Sequence, residues 1–390
     1  MHDVVIVGGG PAGISTALHL QAAAPHLRLL VLEKCRYPRD KICAGGIGAR
    51  AFRILEAIGV EVDCPCVPLD AVAMRLPLDT MVVHQPGCGA VVRRIEFDHA
   101  FAKVAMGRGI EVREDSAVTD VRVSDSHVEL AIAGADPIQA RAVVGADGVA
   151  GPVRRLAGFP RGELRAQVVE LDTEAAPQDL PRDTVVFDFA TSAMRGYAWD
   201  FPTQVAGKPL VCRGAYVLHD GKQPHAPGEP RARMAAYLSA RGLDLADYTL
   251  KQFAEQGFEP GACVSKPRVL LAGESAGIDI ATGEGIGQAI EYGALAGPYL
   301  AHALAVDDLR FADWRETIDR RHLGLQMAIR HGCYRALYGR HRPIVERLLP
   351  RIPHLMRLGV QDFAGVPLSG IAMLRGAAQL VSTILRRAAR

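Results

Sequence analysis

Glycines at positions 8, 10 and 13 follow directly on an apolar run, Val4-Val5-Ile6-Val7, and open a stretch with helical spacing through Pro11 and Ala12. A second apolar run, Leu29-Leu30-Val31-Leu32, closes on Glu33, twenty positions beyond Gly13, with Lys34 next to it. Strand, glycine turn, helix, strand and acid together form the complete pattern by which a chain holds a dinucleotide. Gly8 permits the tight turn, Gly10 lets bare backbone approach a pyrophosphate, and Gly13 lets helix and strand pack closely. The helix N-terminus adds amides and a positive dipole end for the phosphates. Glu33 would accept hydrogen bonds from ribose hydroxyls. The chain is expected to bind a dinucleotide.

The elements that must position these residues are spread along 390 residues, long enough for two compact units. Hydrophobic residues at 49% and charged residues at 23% fit a globular enzyme. Eight cysteines form no C-x-x-C pair, which argues against zinc-ribbon or iron–sulfur ligation. His331-Gly332-Cys333 and Cys64-Pro65-Cys66 are isolated pairs, so no metal is expected. The first strand pattern begins within three residues of Met1, leaving no room for a targeting segment, and a cytoplasmic location with reduced thiols is expected. Thirteen arginines and two acids between Arg320 and Arg390 give that region a net +11, which leaves −9 on the rest of a chain whose net charge is +2. Such a basic region suits an anionic membrane surface on the inner face, an anionic substrate or an acidic partner, although solvated helix faces would carry the same arginines. No nucleic-acid recognition pattern accompanies the charge.

Ala142-Val143-Val144-Gly145 reads as a buried parallel strand, and Val269-Leu270-Leu271 as another. Short strand patterns at 71–76, 81–84 and 90–92, and a β-rich stretch from about 162 to 217, interrupt this series. Helices are expected at 97–106, 231–241, 244–256 and from Gly283 to about Ala305. The run 285–306 lacks Lys and Arg, but Gln288, Glu291 and Pro298 favour a buried helix over a membrane span. The division is therefore an α/β Rossmann-like nucleotide-binding domain (1–60, 95–160 and 265–307), an inserted β-sheet substrate domain (61–94 and 161–264) and a helical C-terminal region (308–390).

Two further segments complete a resemblance. Gly145-Ala146-Asp147-Gly148, with Arg154 following, is similar to the Asp-Gly turn of FAD-dependent, glutathione-reductase-type flavoproteins with the p-hydroxybenzoate hydroxylase topology. Ala272-Gly273-Glu274-Ser275-Ala276-Gly277, running on to Thr282-Gly283-Glu284-Gly285-Ile286, is similar to their third motif. Glu274 stands where that group usually has Asp, and Ile280 where it often has Pro. The resemblance implies bound FAD, with the carboxylate at 274 on a ribityl hydroxyl and the helix opened by Gly283, Gly285 and Ile286 aimed at the flavin pyrimidine edge. That dipole end would favour the anionic reduced flavin. Arg94, ahead of Phe97-Asp98, is similar to an Arg-x-x-Phe-Asp pattern bordering FAD; Arg93 adjoins it, and the register between the two stays open.

Within that group the chain resembles the geranylgeranyl reductases. Lys41-Ile42-Cys43-Ala44-Gly45-Gly46 is similar to their Lys-x-Cys-Gly-Gly-Gly loop, with Ala44 for the first Gly. Gly196-Tyr197-Ala198-Trp199-Asp200-Phe201-Pro202 matches their Tyr-x-Trp-x-Phe-Pro motif. The resemblance implies that both segments, including Lys41, Ala44 and Gly45, flank the flavin and an aromatic-walled cavity for a long apolar substrate. The implied reaction is reduction of an isoprenoid double bond by hydride from flavin N5, with a general acid nearby. Cys43 and Tyr197 are the candidate acids, with Trp199 beside them; Cys43 could instead close the cavity sterically.

Three other functions share parts of the pattern. A flavin monooxygenase would use the reduced cofactor to hydroxylate or epoxidise an aromatic or prenylated compound. Flavin halogenases carry Trp-x-Trp-x-Ile-Pro where this chain has Tyr197–Pro202. An electron-transfer dehydrogenase would often carry cysteine-ligated clusters. No second G-x-G-x-x-G follows a strand, so NAD(P)H would bind transiently or a ferredoxin-like protein would donate electrons. Gly273-Glu274-Ser275-Ala276-Gly277 also reads as a hydrolase nucleophile elbow, with Asp307 and His322 downstream. Finally, Leu374, Ala378, Val381 and Leu385 fall near one helical face within 371–390, a pattern suited to a membrane surface or to docking on the body.

Overall fold

The computed structural model describes residues 1–190, 195–219, 229–339 and 342–367. Two eight-stranded sheets divide the chain. The fully buried run Val4-Val5-Ile6 lies at the centre of the first sheet, in the strand His2–Val7. That strand is flanked in parallel by Leu29–Leu32 and by Ala135–Gly145, with Val5 opposite both Leu30 and Val143. Glu111–Arg113 and Val269–Leu271 extend the parallel series on the two sides. The chain therefore fills one side of His2–Val7 first and the other side later. This makes a topological switch point where the first strand ends, the place where open α/β sheets bind ligands. The hairpin Val118–Val123 and Val128–Ile132 pairs with Ala135–Gly145.

Helices Pro11–Ala23 and Ile286–Ala305 pack against each other at unusually short range. A Cβ on Gly293 would fall 2.4 Å from Ser15 Oγ, and one on Gly297 would fall 2.6 Å from His19. Ile286–Ala305 is accordingly a buried helix. Among the described residues no helix is long and apolar enough to cross a membrane. The segment 371–390 lies outside the described residues.

The second sheet runs Lys251–Gln256, Arg165–Thr173, Lys208–His219, Gly196–Val205, Thr184–Asp188, Cys66–Leu76, Asp79–Val92, Gly46–Gly48. The three short strand patterns between 71 and 92 are one long hairpin, and Gly46–Gly48 leaves the nucleotide domain to pair with it. The helix expected over 244–256 is not formed. A single 3-10 turn, Leu245–Asp247, precedes the strand Lys251–Gln256, whose alternating exposure has period two and whose backbone pairs with Arg165–Thr173. Edge pairing outweighs the weak helical pattern there.

Alternation sorts the side chains of this sheet. Glu170, Gly214 and Trp199 stand in one transverse row, and Val168, Tyr216 and Tyr197 in the next, all on one face. Asp200 and Arg213 project from the other face. There fully buried Arg213 reaches Asp200 and Asp179, each at 2.6 Å, while Tyr237 and Arg241, from the helix Glu229–Ser239 and just beyond it, also meet Asp200. Among the described residues every buried charge on that face has an opposite partner, as burial requires.

The C-terminal helices His322–Tyr338 and Pro353–Phe363 dock through a polar network. His322 bridges Glu291 at 2.9 Å and Asp362 at 2.8 Å, and Arg50 also holds Asp362 at 2.7 Å. The hydrogen bonds to Asp362 and Glu291 push His322 up to about 9 from 6.5. Because the folded value exceeds the unfolded one, its contribution to stability is full below pH 6.5 and is lost as pH rises through about 9. Thermal melting across this range should therefore find His322→Gln most destabilised relative to the parent below pH 6.5, with the gap closing above about 9. A gap independent of pH would contradict the assignment.

Candidate active site

The switch point is built from backbone. Gly8 has φ +106°, and a Cβ there would stand 2.3 Å from the Ala146 carbonyl oxygen. A Cβ on Gly13 would meet the Gly8 oxygen at 1.9 Å. Gly10 differs, because a Cβ there would make no contact tighter than ordinary van der Waals range. The nearest atoms to its missing Cβ are guanidinium nitrogens of Arg39 and Arg94, both at 3.8 Å. Two cations poised over bare backbone at a helix N-terminus are what a pyrophosphate needs.

Asp98 positions both arginines. Its two oxygens take Arg94 at 2.7 Å each, and one also accepts Arg39 at 2.8 Å. Burial works against the charge on Arg94, but Asp98 outweighs it and raises the guanidinium further. Arg93 turns away and pairs with Asp172 of the second sheet at 2.8 Å, so Arg94 is the arginine that borders the cradle. Glu33 is buried; it accepts the Gly9 N–H at 3.0 Å and the Cys35 N–H at 3.1 Å, and Arg39 lies 3.2 Å from the same oxygen as Gly9. Pro11 and Ala12 are buried at the start of the helix, and Lys34 is exposed.

The far end of the cradle gathers residues distant in sequence. Asp147 accepts the Val153 N–H at 2.8 Å and the Ser275 hydroxyl at 2.9 Å; burial raises its carboxyl. Gly148 follows at φ +77°. Arg154 serves the local fold, donating to the carbonyls of Pro160 and Ser275. Glu274 approaches Lys41 at 3.4 Å through one oxygen, while its other oxygen, Oε1, is buried with no hydrogen-bond partner. An orphaned buried carboxylate oxygen is costly unless a ligand group meets it. Gly273, at φ +61°, packs on Ala12, while Gly283, at φ +68°, lies against Tyr216, Glu255 and the Tyr197 hydroxyl. The loop leading to Gly285 and Ile286 is clamped from the C-terminal region: Arg330 holds Asp279 at 2.7 Å and Thr282 at 2.8 Å, and also pairs with Glu284.

The nucleophile-elbow reading does not assemble. Ser275 is spent on Asp147, His322 bridges Glu291 and Asp362, and Asp307 pairs with Arg141.

A cavity of about 190 Å³ lies between the two sheets, walled by Lys41, Cys43 and Ala44 on one side and by Glu170, Asp172 and Cys212 on the other. The Cys43 N–H donates to Glu170 Oε1 at 3.1 Å. Burial raises the Cys43 thiol. Tyr197 and Trp199, 4% and 3% exposed, share the sheet face with Glu170 but do not wall this cavity. Tyr197 stacks on Tyr216 with ring centroids 5.1 Å apart, its hydroxyl donates to the Thr282 carbonyl, and burial raises it well above 10. The aromatic face is packed with Tyr338, Met356 and Val360 of the C-terminal helices, so the expected aromatic walls form a core.

Residues 1–305 match the family of FAD-binding domains. The chain belongs to that family. It is 26% identical over 347 residues to digeranylgeranylglycerophospholipid reductase of Methanosarcina mazei, covering 82% of this chain and 80% of the relative. Among solved structures it resembles a geranylgeranyl bacteriochlorophyll reductase-like protein of Thermoplasma acidophilum (TM-score 0.69, 20% identity, 97% and 96% of the two chains). It also resembles the flavin-dependent brominase Bmp2 (TM-score 0.73, 18% identity, all of both chains). The protein is an FAD-dependent oxidoreductase.

The residues present fit FAD: open backbone at Gly10 under two guanidiniums, Glu33 beside the turn, and an unpartnered Glu274 oxygen where the ribityl chain is expected. Arg39 belongs to this cradle with Arg94 and Asp98, yet the Arg-x-x-Phe-Asp motif gave no sign of it. A carboxylate one helical turn after Arg94 was the available signal. A Cβ at Gly10 meets no protein atom closer than 3.8 Å, whereas one at Gly13 collides with backbone. Gly10→Ala should thus melt like the parent apoprotein yet bind FAD at least about tenfold more weakly in a fluorescence titration, a loss of about 1.4 kcal/mol. Parental affinity would contradict the cradle.

Proposed function

We propose that the protein reduces a carbon–carbon double bond in a hydrophobic, prenylated substrate. The observation that carries this reading is the way the loop Lys41–Gly46 meets the substrate sheet. Its Cys43 amide binds Glu170, and a Cβ on Gly46 would stand 3.0 Å from the Phe201 ring, so loop, aromatic motif and cavity form one unit. When bound and reduced, FAD supplies a hydride to one carbon of the alkene. The chain's own residues do the rest: Arg39, Arg94 and Glu274 hold the cofactor, and Arg330 fixes the loop at its ring end. The polar cavity takes the reacting end of the substrate. The names of the Methanosarcina and Thermoplasma proteins support an isoprenoid substrate.

The electrons would come from a nicotinamide or a ferredoxin-like donor. The basic C-terminal region would bring the protein to an anionic membrane surface where a prenyl lipid resides, an association that weakens as salt rises.

Product analysis separates reduction from oxygenation. With dithionite as reductant and no oxygen, the FAD-loaded protein should convert a geranylgeranyl lipid to products heavier by pairs of hydrogen atoms. Products that form only in air and gain oxygen would contradict the reductase reading and favour a monooxygenase.

A further inference from the structure

Reduction of an alkene needs a proton as well as a hydride, and the two acids suggested by the motifs are poorly suited to give it. The Tyr197 hydroxyl is committed to the Thr282 carbonyl, and burial raises both that phenol and the Cys43 thiol. We propose that Glu170 is the proton donor of the interdomain cavity, serving the substrate carbon that does not receive the hydride. This inference rests on the reductase reading.

Glu170 stands in an inner strand of the substrate sheet, paired on both sides, so its backbone is fixed. Its side chain lies on the face toward the cavity and forms part of the wall, and the residue is only 7% exposed. One carboxyl oxygen receives the Cys43 N–H at 3.1 Å, and the other lies 3.9 Å from Cys212 Sγ. The other acids buried in this part of the molecule are met by arginine: Asp200 by Arg213 and Arg241, Asp188 by Arg75, Asp98 by Arg94. Glu170 has no such partner among the described residues. Glu255 also lacks one, but it sits at the edge strand beside Gly283 and does not wall the cavity.

The cations around the cavity are engaged elsewhere. Arg93 pairs with Asp172, Lys251 with Asp40, Lys41 with Glu274, and Arg94 with Asp98. Burial, reinforced by the charges of Asp172 and Asp40 and opposed by the Cys43 amide and Lys251, pushes Glu170 up to about 7. An acid in that range is protonated often enough to donate and is readily recharged from water. In the step, the alkene π bond breaks. One carbon gains the hydride with its two electrons from reduced FAD, the other gains the Glu170 proton, and a glutamate carboxylate is left for solvent to reprotonate. Net, the substrate gains two hydrogens and the cofactor is oxidised by two electrons.

Glu170→Gln removes the proton and keeps the size. In the FAD-loaded protein it should leave flavin content and the rate of reduction by dithionite unchanged, while turnover of a geranylgeranyl lipid falls at least about a hundredfold. The parent rate should decline as pH rises through about 7, a limb absent from Glu170→Gln and restored in part by Glu170→Asp. Independently of turnover, infrared difference spectra of the holoprotein should contain a protonated carboxyl band that disappears over the same pH range and is missing in Glu170→Gln. A variant that keeps both the parent rate and the pH limb would overturn the assignment of Glu170 and leave the reductase reading standing. The absence of the carboxyl band would likewise overturn it. A flavin-loaded parent that reduces no double bond would overturn both.

Discussion

Bare backbone at a switch point is the constraint from which the rest follows. A pyrophosphate can sit on Gly10 only if nothing projects from it. The helix that delivers its amides can lie there only if Gly13 rests on the Gly8 carbonyl. The same closeness continues through Gly293 and Gly297, which let Ile286–Ala305 press onto Pro11–Ala23. Packing of this kind has no slack, because interiors are as dense as crystals and a single methyl cannot be absorbed. It also fixes the start of Ile286–Ala305, and with it the amides expected at the flavin ring.

The second dependence is the segment from Lys41 to Gly48, which belongs to both sheets. Lys41 touches Glu274 in the nucleotide domain, Cys43 binds Glu170 across the gap, and Gly46–Gly48 is an edge strand of the substrate sheet. Gly45, at φ +84°, lies so close to Val92 that a Cβ would stand 1.9 Å from its carbonyl oxygen. A loop pinned at three points holds the cavity in register with the cofactor cradle. From the C-terminal helices Arg330 clamps the loop that leads to Gly285 and Ile286, so all three regions bear on the cofactor cradle and the cavity beside it.

Much of this was legible because it is local. The dinucleotide pattern, the buried parallel strands and the Asp-Gly turn each depend on contiguous residues whose types have narrow physical meanings. What escaped notice depends on partners far apart in the chain. Arg39 matters because Asp98 turns it toward Gly10, and the loop alone gives no sign of that. Glu170 was hidden inside an apolar strand pattern, and only the tertiary contact of that strand with the loop at Cys43 gives it a partner. The segment 251–256 looked helical because its edge pairing with Arg165–Thr173 is non-local. Tyr197 and Trp199 were legible as a motif, but their burial under the C-terminal helices was not, since that packing joins segments more than a hundred residues apart.

Electrons are expected to pass from the cofactor to a prenyl double bond without oxygen. The most direct measurement is anaerobic stopped-flow mixing of the fully reduced holoprotein with a geranylgeranyl lipid, following the return of the yellow oxidised flavin. Colour is expected to return on mixing, in proportion to the double bonds reduced, with no oxygen present. A flavin that stays reduced beside the lipid and reoxidises only when air is admitted would contradict it.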